Sequence, residues 1–311
     1  MNVTACLSTV LFGGWAVLSF GATPPKHEFV AIDEGLGNLL HIDENNPANN
    51  WIVPAGQPVP RDLQLIGGGR ILVGHDTGYS EFELTTGKLL KEVARYKGVT
   101  SARRLANGHT LLVGVNLDKA KGVVLLELGD SGVVHKTVLP GNYVRLARET
   151  SAGTFLLMND TMIREVTREG AAVHEWTVPD FRHAWKAVRL PDGHTLASAG
   201  YTPFLVELDD RGGIVRKIGA KSAALAFANP NFYAMFQLLA NGDIVVANWQ
   251  GHGPGHGASG VPLLEFDRAG AVVWQWSEAK LISSLQGVLV LDGLDVSVLH
   301  DERNGVMAPL R

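Results

Sequence analysis

The chain has 311 residues, 46% hydrophobic and 19% charged, with 36 glycines; at that length it accommodates one or two domains, and the glycine content suits many short strands and tight turns. A formal net charge of −4 gives no general attraction to a phosphate backbone, which sets nucleic acid aside as a partner. The single cysteine, Cys6, excludes a disulfide within the chain, and removal of a leader containing it would also exclude thiolate catalysis and iron–sulfur clusters.

Residues 6–20 are an apolar run closed by Gly21-Ala22-Thr23-Pro24-Pro25. About 15 residues fall short of the roughly 20 that span a bilayer, and the small residues Ser19 and Gly21 suit cleavage after Gly21, with Ala22 as the neighbouring alternative. Residues 1–22 are therefore predicted to be a secretory signal peptide, although residues 1–5 carry no Lys or Arg. Residues 23–311 would form one periplasmic or extracellular domain with no membrane span. Residues 3–6 superficially resemble a lipobox, but the apolar stretch follows the cysteine instead of preceding it, so lipid attachment is not expected.

From residue 24 onward one unit recurs: an apolar strand, a glycine turn, a second apolar strand, a polar loop, a third strand, another turn and a fourth strand. Its first turn is found at Gly68-Gly69, Asn107-Gly108-His109, Ala152-Gly153, Asp192-Gly193-His194, Asn241-Gly242-Asp243 and Asp292-Gly293. The Asn-Gly and Asp-Gly pairs predict type I′ hairpins, in which both central residues have positive φ. Six turns about 40 to 50 residues apart are the period of four-stranded propeller blades.

The third strand repeats too, as Glu81-Phe82-Glu83-Leu84, Leu125-Leu126-Glu127-Leu128, Ile163-Arg164-Glu165-Val166, Leu205-Val206-Glu207-Leu208 and Leu263-Leu264-Glu265-Phe266. No amphipathic helix of useful length interrupts the series, which disfavours a parallel α/β fold.

At the N-terminal end, Val30-Ala31-Ile32-Asp33-Glu34-Gly35 matches Val73-Gly74-His75-Asp76-Thr77-Gly78, so the first blade begins at its second strand. Residues 287–291, before Asp292-Gly293, can supply the missing first strand. The prediction is an all-β propeller of about six four-stranded blades, closed by N- and C-terminal strands that share one blade and remove the sheet edges. Seven blades are the alternative, because residues 295–300 compete with the N-terminal strand for the second-strand place.

Glu83-Leu84-Thr85-Thr86-Gly87-Lys88-Leu89-Leu90 resembles a quinoprotein-type repeat, and Glu265-Phe266-Asp267-Arg268-Ala269-Gly270-Ala271-Val272-Val273-Trp274-Gln275-Trp276 resembles the blade-ending segment of arylsulfotransferase-like proteins. The chain is thus similar to the secreted bacterial propellers grouped with these repeat families, and the resemblance implies the fold more than an activity. Lys91 stands where a quinoprotein repeat carries its docking tryptophan, and there is no vicinal cysteine pair, so a quinone cofactor is not expected. No Trp-Asp dipeptide occurs, which separates the chain from the WD repeat.

In a propeller, loops between second and third strands share one face with the links between blades, while hairpins between first and second strands occupy the other. This places His109 and His194 on the hairpin face as turn residues. The ends of second strands gather polar groups at one channel mouth: Asp33, His75, Asp76, Asn159, Asp160, Tyr201, Asn248 and Trp249, followed by the loop Gly251-His252-Gly253-Pro254-Gly255-His256-Gly257. His183 and Tyr233 precede first strands and can join them, as can His300 with Asp301 if the last segment folds back as a second strand.

The spacing of His252 and His256 also occurs in zinc sites, and His75 or His300 would supply a further ligand from another blade, so a metal on His75, His252 and His256 is one expectation. A second concerns Arg103, Arg145, Lys186, Gln237 and Gln286 at the starts of first strands. If these point into the channel, their fields attract an anion such as sulfate, a carboxylate or a sugar acid. The alternative is ordinary pairing with Asp62, Glu149 and Asp192.

The chain has no Gly-x-Ser-x-Gly elbow and no zincin helix, and leans away from an enzyme. The reading is an exported propeller binding a small polar or anionic molecule, or an envelope protein, at one channel mouth. The alternative is a periplasmic sulfotransferase-like or lyase-like enzyme using a mouth histidine.

Overall fold

The computed structural model describes residues 24–310, so the expected signal segment and cleavage site lie outside the described residues. In chain order, β1 (Glu28–Asp33), β2 (Asn38–Asp43) and β3 (Trp51–Pro54) give three strands of the first blade. The second holds β4 (Asp62–Gly67), β5 (Arg70–His75), β6 (Gly78–Glu83) and β7 (Leu89–Ala94). The third holds β8 (Val99–Arg104), β9 (Thr110–Val115), β10 (Val123–Gly129) and β11 (Gly132–Leu139). The fourth holds β12 (Ala147–Glu149), β13 (Phe155–Met158), β14 (Met162–Val166) and β15 (Ala172–Thr177). The fifth holds β16 (Ala187–Arg189), β17 (Thr195–Ser198), β18 (Leu205–Leu208) and β19 (Ile214–Ile218). The sixth holds β20 (Phe232–Leu238), β21 (Ile244–Trp249), β22 (Leu263–Phe266) and β23 (Val272–Trp276). β24 (Leu285–Val290) then pairs antiparallel with β1, Val30 opposite Leu289 and Ala31 opposite Val288, and completes the first blade from the other end of the chain. The fold is a six-bladed β-propeller.

Two aspartates stitch the composite blade where no peptide links its first two strands. Asp33 accepts the Ser283 and Ser284 amides (2.8 and 2.9 Å) at one end, and Asp292 Oδ1 accepts the Glu28 amide (2.9 Å) at the other. Asp292 also holds His27, whose Nε2 donates to Glu265 of the sixth blade (2.9 Å). Burial alone would lower the pKa of His27, but its bonds to Asp292 and Glu265 carry it up to about 9, so the ring is latched by an imidazolium between two carboxylates.

The glutamate that recurs in third strands has a structural role. Each of Glu81, Glu127, Glu165, Glu207 and Glu265 sits at a β-bulge in the pairing of third and fourth strands. Four of them reach a cation of the next blade: Glu81 holds Arg104, Glu127 holds Arg168, Glu165 holds Arg189 and Glu265 holds His27.

The hairpin turns differ from the type I′ expectation. Only the glycine of each has positive φ, 83° at Gly108, 90° at Gly193 and 91° at Gly242. The Asn or Asp before it instead uses its side-chain oxygen to accept the amide two residues on, at 3.0 Å in His109, His194 and Asp243. This is an Asx-type turn with one left-handed glycine.

Residues after β24 do not compete for the second-strand place, which β1 occupies. They form a hairpin of β25 (His300–Asn304) and β26 (Val306–Pro309) that crosses the hairpin face, where Val306 bridges to Leu238 and Leu299 to Ile66. The amides of Gly68 and Gly69 donate to Ser297 and Val296, and that of Ser151 to Arg303, so the segment caps the channel from that side.

Candidate ligand-binding site at the channel mouth

First strands carry the cations expected in the channel, and those deepest in it meet carboxylates of the capping hairpin. Arg103 bonds Asp301 (2.5 Å), Lys186 bonds Glu302 (2.5 Å), and Arg148 forks onto both oxygens of Asp62 (2.8 and 3.2 Å) while its Nε reaches Glu302 (2.7 Å). Arg103, Arg148 and Lys186 make three cations and Asp62, Asp301 and Glu302 three anions, all buried, so this stretch is neutral. Burial would raise the pKa of Glu302, but Lys186, Arg148 and Arg103 hold it at about 2. Gln237 bonds both the amide and carbonyl of Val290, tying β20 to β24.

The opposite face is open. There a cavity of about 130 Å³ is lined by Arg61, Arg145, His183 and Trp185 from links between blades, and by Tyr201 and His252 from loops after second strands. Val59, Phe232, Trp249 and Gln286 complete it. Arg145 lies over the rings of Tyr143 (4.3 Å) and Trp185 (5.2 Å), and among the described residues no carboxylate lies within 4.0 Å of its guanidinium nitrogens. Burial pulls its pKa below the ordinary arginine value; Arg61 is lowered by burial and by the nearby Arg145 charge. Arg61 has Asp76 at 3.7 Å and the Val99 carbonyl at 3.1 Å. Arg145 Nε, Trp185 Nε1 and Gln286 Oε1 are buried with no hydrogen-bond partner, as is the Tyr143 hydroxyl, whose pKa burial pushes up to about 12. Such orphaned groups mark a place where a ligand or water completes the bonding.

His183 is held by two bonds to Asp160 Oδ1, from its amide and from Nδ1, both 2.8 Å, and these hold Asp160 below the usual carboxylate range. The bond fixes Nδ1 as the protonated nitrogen, and Nε2 makes no hydrogen bond among the described residues. His183 has φ 58°, a left-handed conformation unusual outside glycine. Gly200 packs so closely against it that a Cβ there would lie 2.1 Å from the Arg182 carbonyl oxygen and 2.4 Å from that of His183. The imidazole stands between Tyr143 (5.3 Å) and Tyr201 (5.4 Å).

Of the residues expected at the mouth or in the channel, Arg145, His183, Tyr201, Trp249, His252 and Gln286 share this cavity. Glu34 organises two of them, accepting from Trp249 Nε1 (3.1 Å) and His252 Nδ1 (2.8 Å). Asp76 stands behind Arg61. The others are elsewhere. Arg103 and Lys186 are neutralised within the capped channel. Tyr233 is buried between blades, its hydroxyl donating to the Gly219 carbonyl (3.0 Å). Asn248 is buried and donates to the carbonyls of Ala228 and Val261. His300 lies at the capped end, against the Val298 carbonyl, because β1 fills the place that would have brought it to the mouth.

The trio His75, His252 and His256 is not assembled as a ligand set. His75 is buried with Nδ1 and Nε2 near the hydroxyls of Thr77 and Ser80 (3.0 and 3.2 Å), and His256 Nε2 turns back to the His252 carbonyl (3.2 Å). Among the described residues only Asp192, His194 and Glu207 bring three candidate ligand atoms within 4.8 Å of one another, and there His194 already donates to Glu207 (2.7 Å) on the hairpin face.

Arg61, Phe232 and Val59 were not singled out from sequence, nor was Arg148 in the channel. Arg145 lies in the link two residues before β12 and Arg148 within β12, about 10 Å further along an extended chain, which is the difference between the open mouth and the sealed interior.

No family model matches the chain, and no curated protein sequence matches it. Among solved structures, a protein of unknown function from Bacteroides caccae is similar over 86% of this chain and 99% of its own, with 20% identity and a TM-score of 0.69. The WD40 β-propeller domain of Doa1 covers 81% of this chain and 79% of its own at 14% identity and TM-score 0.55. A streptogramin B lyase covers 81% and 83% at 12% identity and TM-score 0.52. At these identities the likeness is one of fold, that of the β-propeller.

Proposed function

We propose that the chain is an exported β-propeller, akin in its repeats to the quinoprotein-like and arylsulfotransferase-like group, that binds a small anionic ligand at its open channel mouth. One observation carries this reading: Arg145 is partly buried without a carboxylate, beside the unpartnered indole N–H of Trp185. A buried cation without a counterion is costly, and an anion that enters its cavity relieves that cost while gaining charge-assisted hydrogen bonds. A thermal-shift screen with acetate, sulfate, sugar acids and aromatic carboxylates tests it. At least one anion should stabilise wild type and not Arg145→Gln; no response in wild type contradicts the reading. For export, residues 1–22 fused to a periplasmic reporter should carry it across the inner membrane, and a reporter retained inside the cell contradicts that part.

A second reading, an enzyme of the sulfotransferase-like or lyase-like kind, is favoured by the Asp160–His183 pair, since an imidazole oriented by a carboxylate with Nε2 free is the arrangement of a general base. Turnover of an aryl sulfate by wild type, lost in His183→Gln while anion binding persists, would support it. Loss of binding and turnover together would not.

A further inference from the structure

The mouth cavity has the dimensions and lining of a site for one flat ring. Its volume is about 130 Å³, and apolar cavities of about 150 Å³ accept benzene. Phe232 is the centre of an aromatic wall, with Tyr201 at 4.7 Å, Trp185 at 5.5 Å and Trp249 at 5.5 Å, all edge to face. Edge-to-face walls of this kind favour another ring over a compact hydrated ion. The polar groups left without partners around the cavity are few: Arg145 Nε, the Trp185 N–H and the Tyr143 hydroxyl as donors, and the Gln286 oxygen and His183 Nε2 as acceptors, while Arg145 Nη1 makes only a long bond to the Val144 carbonyl (3.5 Å). That set suits a planar anion. A guanidinium meets a carboxylate in its own plane through two parallel bonds, whereas a tetrahedral dianion also turns oxygens toward the aromatic side of the cavity, where they find no donor.

Resting on the reading of the mouth as an anion site, we infer that its ligand is a ring-sized flat carboxylic acid, an arene carboxylate or a planar unsaturated equivalent, with its carboxylate on Arg145 and its ring against Phe232 and Trp185. The ring supplies the apolar burial and the carboxylate the charge, so neither half alone binds well.

Isothermal titration of the purified protein at low salt with benzoate, benzamide, acetate and sulfate tests this. Benzoate should bind saturably at one per chain, at least tenfold more tightly than acetate, sulfate or the neutral benzamide. Arg145→Gln should abolish benzoate binding. Arg145→Lys, which keeps the charge and loses the fork, should weaken it at least fivefold, and the four-ligand comparison in wild type needs no variant to fold. Acetate or sulfate binding as tightly as benzoate through Arg145 would overturn the ring inference and leave the anion site standing. Benzamide equal to benzoate, or benzoate binding that survives Arg145→Gln, would overturn it as well. If none of the anions binds wild type, the anion site and the ring inference fall together.

Discussion

The two ends of the channel receive similar cations, from first strands at one end and from the link leading into a first strand at the other, and treat them oppositely. At the capped end, the three charges of Arg103, Arg148 and Lys186 are matched by those of Asp62, Asp301 and Glu302. At the mouth, Arg145 has aromatic rings where a carboxylate would be. The difference lies in what covers each end. The C-terminal hairpin brings its own acids to one, while the other faces solvent through loops whose nearest acids are already engaged, Glu34 with Trp249 and His252, Asp160 with His183, and Asp76 beside Arg61. A basic residue in a propeller channel is therefore informative about ligands only after the chain's own counterions have been placed.

The comparison can be broken most severely at the capped end. Glu302→Gln leaves three buried cations facing two carboxylates and should cost about 3–5 kcal/mol of stability, measured by urea unfolding. The charges also set a pH window. Glu302 is held at about 2, so its contribution is present above its ordinary value near 4.5 and is lost as pH falls through about 2. His27 is raised to about 9, so its contribution is complete below about 6.5 and is lost as pH rises through 9. Burial lowers the Lys186 pKa to about 8, which makes stability rise with pH over the same range, so the His27 effect is read as a difference: between pH 6.5 and 9.5 wild type should lose roughly 2 kcal/mol relative to His27→Gln, discounted because Asp292 is partly exposed. At the mouth, Gly200→Ala should cost more than about 1 kcal/mol, because positive φ and the Arg182 carbonyl both reject a Cβ, and it should weaken ligand binding by displacing His183 and Tyr201. The smallest effect is expected from Arg145→Gln, within about 1 kcal/mol of wild type or more stable, since it removes a cation that no acid compensates. A loss as large as that of Glu302→Gln would mean that Arg145 is structural.

Much of the ring was legible in the sequence because each blade repeats the same local chemistry, an Asx–Gly turn or its equivalent and the third-strand glutamate, and because Val30 to Asp33 matches a second strand. The capping hairpin was not, since residues 294–310 have no counterpart in the other blades and pattern matching has nothing to align them with. The mouth was half legible. The topology brings Arg145, His183, Tyr201, Trp249, His252 and Gln286 together, but it does not place His300, which lies at the capped end, or Tyr233, which is buried between blades, and depth along the channel depends on register. Phe232 and Arg61 looked like ordinary strand and link residues, and His75 was drawn into a ligand set although its ring is satisfied by the neighbouring hydroxyls of Thr77 and Ser80.

The most direct test of self-neutralisation is a double-mutant cycle between Lys186→Met and Glu302→Gln, followed by urea unfolding. Removing both leaves Arg103 and Arg148 facing Asp62 and Asp301, again in balance, so the double variant should be more stable than Glu302→Gln alone by about 2 kcal/mol. Losses that simply add, with the double variant the least stable of the set, would contradict the account.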